Sequence, residues 1–137
     1  MSKLKLLAYG DDCQGATGFS RQMKNILTRF HQQGFDIAQV GINKIDESPL
    51  NPYDANDRAP FKIFRANIRG DSSDQEGRAL IKAIFDKLCP DVFFIMNDIW
   101  FFRDWFTPWL EQMQFRRQFK TIGYYSCEYA LNSQDLD

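Results

Sequence analysis

Leu4 to Tyr9 is a short, largely apolar run that closes on Gly10-Asp11-Asp12, the pattern of a buried strand ending in a turn. Phe19, Met23, Ile26, Leu27 and Phe30 then recur at helical spacing, with Thr17 as the N-cap and Gly34 placed to end the helix. Phe35 to Ile42 predicts a second strand, and Phe61 to Arg65 a third, shorter one with alternating apolar positions. Ser73-Asp74-Gln75-Glu76 matches a capping box, and Leu80, Ile81, Ile84, Phe85 and Leu88 continue it as an amphipathic helix that must stop before Pro90. Val92 to Met96 is apolar at every position, as a central strand covered on both faces must be, and it ends in Asn97-Asp98. A third helical region spans Phe101 to Phe115. Pro108 interrupts it, and Thr107 caps its second segment. Lys120 to Ser126 is the last strand.

The order βαββαβαβ, with helices between most strands, predicts a parallel α/β sheet covered on both faces. Five strands in the order 3-2-1-4-5 make this Rossmann-like, with the first and fourth strands flanking the point where the order reverses. A chain of 137 residues suits one such domain over residues 1–137. The one irregular stretch is Asn43 to Pro60, where Pro49, Pro52 and Pro60 among Asp and Asn residues predict a surface excursion.

Composition narrows the partners. Lys and Arg number 17 against 18 Asp and Glu, so no bulk field favours nucleic acid or an anionic membrane. Three cysteines without CxxC spacing suit neither a disulfide framework nor a zinc site, and they fit a reducing cytoplasm. No apolar run is long enough to span a membrane. His31 is the only histidine, which excludes a metal centre built on several; it falls late in the first helix, away from the ligand edge.

Parallel sheets bind ligands beyond the carboxyl ends of their strands. That selects Gly10 to Ser20, Asn97 to Trp105 and the segment from Ser126 onward. In the first of these, Gly15 and Gly18 flank a helix start whose N–H groups and dipole favour an anion, although they also suit a simple tight turn capped by Thr17. Asp11 and Asp12 would repel that anion unless they point away. Arg21 is expected on the solvated face of its helix. Trp100, Phe101, Phe102, Trp105, Phe106 and Trp109 are expected to be mostly core, with Trp100 or Phe101 the candidate for a cleft.

Thr17-Gly18-Phe19-Ser20-Arg21, followed by an amphipathic helix, Gly34 and a strand ending Val40-Gly41-Ile42-Asn43, resembles the opening of GT-B glycosyltransferases. Pro90-Asp91-Val92 leading to Asn97-Asp98-Ile99-Trp100, and Gly123-Tyr124-Tyr125, resemble later strands of the same N-terminal, acceptor-side domain. The resemblance implies sugar transfer from a nucleotide-sugar donor to an unidentified acceptor, without a cofactor, in a cleft between two Rossmann-like domains. It also implies a C-terminal donor-binding domain that these residues do not include, and hence no transfer by this half alone. Gly15, Thr17 and Gly18 would then face the donor phosphates, while Asn97, Trp100 and Glu128 would lie near the acceptor. Asp98 would orient or deprotonate the acceptor hydroxyl. On its residue type alone, Asp98 equally suits a loop-bonding or helix-capping role.

Two other readings compete. A flavodoxin-like FMN carrier also uses a hydroxyl-and-glycine loop after its first strand, but Gly15 stands where that pattern has a hydroxyl. A receiver domain is suggested by Asp11-Asp12, but the third strand ends in Arg65 rather than a phosphate-accepting Asp. A non-catalytic interaction domain remains compatible with the fold.

Overall fold

A computed structural model describes residues 3–14, 18–42, 60–66, 77–97 and 105–124. Strands β1 (Lys5–Asp11), β2 (Asp36–Ile42), β3 (Lys62–Arg65), β4 (Val92–Met96) and β5 (Lys120–Tyr124) form one sheet in the order β3-β2-β1-β4-β5. All four neighbouring pairs are parallel. The described helices are α1 (Gly18–Gln32), α2 (Arg78–Leu88) and α3 (Thr107–Gln114). The expected α/β class, Rossmann-like architecture and strand order therefore hold.

Right-handed crossovers explain the layering. The chain moves outward one way from β1 to β2 and the opposite way from β3 through β4 to β5, so α1 covers one face and α2 and α3 the other. Met23 and Leu27 of α1 join Leu6, Ala8, Phe94 and Met96 in one core. Ile81 and Phe85 of α2, with Leu110 and Met113 of α3, join Tyr9 and Phe93 in the second. Alternate residues of β4 enter different cores, which is why its run contains no polar position. Phe85 gathers the rings of Phe93, Trp109 and Phe119 at centroid distances of 5.6, 5.4 and 5.0 Å. Ring pairs of this kind contribute roughly 0.5–1.5 kcal/mol each beyond area burial.

Local structure departs from the sequence pattern in three places. β1 continues through Gly10 to Asp11, whose partners on β2 are Gly41 and Ile42, so Gly10-Asp11 is strand and not turn. α2 opens at Arg78 with Gly77 in the cap position and no side-chain cap. A left-handed glycine (φ 67°) turns the chain there, where an added Cβ would stand 3.1 Å from that of Ala66; Ser73 to Glu76 lie outside the described residues. At α3 the cap position falls on Phe106, which is itself helical (φ −65°, ψ −45°), making Thr107 the first helical residue and not the cap. Pro108 therefore sits within the first turn, where its missing N–H costs no intrahelical bond, as expected of a segment that opens there; Phe101 to Asp104, the start of the expected helical region, lie outside the described residues. No described helix is long and apolar enough to cross a membrane.

Candidate functional site

β1 and β4 are neighbours, so their carboxyl ends bound the crevice at which the strand order reverses. Among the described glycines, the closest approach is at Gly10. A Cβ there would lie 2.8 Å from the Met96 carbonyl oxygen and 2.6 Å from Met23 Cε, so β1, β4 and α1 meet where only a hydrogen fits. Asn97, half-buried just past β4, donates its N–H to the Tyr124 carbonyl at 3.2 Å and holds the end of β5 level with that of β4. Gly18 opens α1 on the same edge and is exposed, with no atom within 4 Å of where a Cβ would be. Of the residues expected at the site, the structure thus brings Gly18 and Asn97 to one edge. Gly15, Thr17, Asp98, Trp100 and Glu128 lie outside the described residues.

A polar cluster, of which the sequence pattern singled out only Asp11 and Asp12, stands beside this crevice. The buried polar side chains among the described residues are Asp11 on β1, Asp12 just past it, Ser20 on α1 and Gln39 on β2. Asp12 Oδ2 accepts from Arg65 Nε at 2.5 Å, and its carboxylate is fully buried. Arg65 Nη2 also donates to Gln14 Oε1. Gln39, from β2, donates Nε2–H to the Asp11 carbonyl at 2.8 Å and accepts the Cys13 N–H on Oε1 at 3.2 Å. Charge-assisted bonds of the Asp12 type are about twice as strong as neutral ones.

Gly41 makes the ion pair possible. It pairs with Gly10 on one side and Arg65 on the other, and a Cβ on it would stand 2.9–3.0 Å from Asp12 Cα, Cβ and Cγ. Asp12 thus leans over β2 toward β3 and is neutralised there by Arg65. For Asp12, the expected repulsion of an anion is met in this way. The N–H groups of the same segment are also occupied: Asp12 donates to the Ile42 carbonyl (2.9 Å), Cys13 to Gln39 and Gln14 to Asp12 Oδ1 (2.8 Å). Among the described residues, an anion on this edge would accordingly meet the N–H groups of Gly18 and Phe19, since the first helical N–H groups have no intrahelical carbonyl.

Cys13 is buried within the cluster, and its thiol is pushed from 9.0 up to about 12, chiefly by burial and then by the Asp12 charge, with Arg65 and Lys24 opposing. The folded chain therefore holds the Cys13 proton above pH 9 while the unfolded chain releases it. The linked stability is intact below about pH 9 and falls as pH rises toward 12. Chemical denaturation of the parent and of Cys13→Ala across that window is expected to show the steeper alkaline loss in the parent. Parallel curves would place the thiol in a more open setting.

The remaining candidates separate cleanly. Phe106 is fully buried, and Trp105 and Trp109 stack at 5.7 Å and 13° while packing on the core, as expected; Trp100, Phe101 and Phe102 are outside the described residues. Arg21 and His31 are both exposed. Among the described residues no three His, Cys, Asp or Glu side chains converge on a metal position. A cleft of about 500 Å³ lined by Asp91, Arg117 and Lys120 lies at the amino-terminal ends of β4 and β5, the edge opposite the one parallel sheets use for ligands. No protein family matches the chain, and no curated protein matches it either.

Proposed function

We propose that this domain is the acceptor-side half of a GT-B glycosyltransferase and that its β1–β4 edge forms one wall of the cleft for a nucleotide-sugar donor and an acceptor. The observation that carries this reading is the strand order 3-2-1-4-5, with the exposed start of α1 at Gly18 on the ligand edge. Flavodoxin-like and receiver folds have the order 2-1-3-4-5, so the sheet favours neither competing reading. Asn97 and Asp98 would face the acceptor with Trp100 and Glu128, and Gly15, Thr17 and Gly18 the donor phosphates. Asp98 would orient or deprotonate the acceptor hydroxyl.

A single wall offers a ligand about half of its contacts, so binding by this chain is expected to be weak, with Kd on the order of 1 mM (roughly −4 kcal/mol) and no sugar transfer. Titrating the isotopically labelled chain with UDP, and separately GDP, should shift the amide signals of Gly18, Phe19 and Asn97. Gly18→Val should diminish these shifts with little change in melting temperature, because its side chain enters open space. A chain whose amides at Gly18 and Phe19 ignore both nucleotides, or which alone turns over a nucleotide sugar at a transferase rate, would refute this assignment.

A further inference from the structure

We propose that Arg65 is a positioning residue: reaching from β3 across Gly41, it clamps Asp12 and Gln14 and so sets where the segment joining β1 to α1 leaves the sheet. The strands themselves suggest this. β3 is an outer strand, two positions from β1, and β2 carries no side chain at Gly41 to separate them. The guanidinium bridges Asp12 and Gln14, on either side of Cys13, while Cys13 itself is tied to Gln39. Only a planar fork with several N–H donors spans two such acceptors, which a lysine ammonium does less well. The buried carboxylate is satisfied on both oxygens, Oδ1 by the Gln14 N–H and Oδ2 by Arg65. Removing Arg65 would leave a buried anion that must turn toward water and carry its segment along. The significance of this clamp for nucleotide binding rests on the proposed function; the clamp itself does not.

Cys13 provides the readout, because it is buried only while the segment stays in place. In the full chain carrying Cys89→Ser and Cys127→Ser, Cys13 is the sole thiol and its reaction with an aromatic disulfide reagent at pH 8 can be timed. Arg65→Met is expected to react at least tenfold faster than this parent, and Arg65→Lys at an intermediate rate. Gly41→Ala, which keeps both charges but displaces Asp12, should also react faster. The control is Leu110→Ala, which loosens the opposite core and is compared in denaturant at equal global stability. If neither Arg65 variant exceeds that control, or if Gly41→Ala stays at the parent rate, the clamp is refuted. In the UDP titration, Arg65→Lys is expected to weaken the shifts at Gly18 and Phe19 at least threefold; unchanged shifts alongside faster labelling would overturn its role for the site. A parent without shifts from either UDP or GDP would count against the proposed function, and the thiol rates alone would then decide the clamp.

Discussion

Gly10→Ala is expected to lower the melting temperature by roughly 10 °C, corresponding to about 3 kcal/mol for a domain of this size. The new Cβ would meet two neighbours of different kinds. Met23 Cε, 2.6 Å away, is the end of a flexible side chain and can swing aside at modest cost. The Met96 carbonyl oxygen, 2.8 Å away, belongs to the backbone of β4 and cannot move without straining the β1–β4 ladder at its ligand end. Gly18→Ala is the matched control, since its Cβ meets nothing within 4 Å. Thermal melts of the two variants should diverge widely. A loss of less than about 3 °C for Gly10→Ala would mean that β1 and β4 have more slack than this packing allows.

Asp12→Ala is expected to cost about 3 kcal/mol, near the lower end of the 3–5 typical when one partner of a buried pair is removed. Arg65 keeps 16% of its side chain exposed, so part of its charge can be rehydrated, which softens the loss. The Gln14 N–H also loses its acceptor. Arg65→Met alone should cost a similar amount, because it leaves the fully buried carboxylate without its cation. The double variant should be no less stable than the worse single one, since the second change removes the charge that the first left unpaired. Urea denaturation of the four proteins provides the cycle. Simply additive losses would show that the two side chains act independently and that their contact contributes little.

Local pattern was enough to read the layered α/β architecture. Val92 to Met96 has an apolar side chain for each of two cores, and the spacing of Met23 and Leu27 lines one face of α1; both depend on nearby residues and on the periods of strand and helix. Strand order came with the Rossmann-like reading, since right-handed crossovers by themselves also admit the order 2-1-3-4-5. The site was less legible. Gly10-Asp11-Asp12 has the composition of a turn, yet Gly10 serves a close approach of three elements, and nothing in the adjacent sequence specifies Met96 as its neighbour. Gln39 resembles any polar residue in a strand until the Asp11 carbonyl and the Cys13 N–H are found beside it. Asp12 and Arg65 lie 53 residues apart. Composition alone supplies 18 acidic and 17 basic residues, which can be paired in many ways. The sequence by itself determined the elements, their periodicity and the sheet they build, because those are set by local sterics and apolar spacing. Only the tertiary structure decided which charges meet, which glycines are crossed and where the β1 segment is held, because these depend on the sheet bringing β3 within reach of β1.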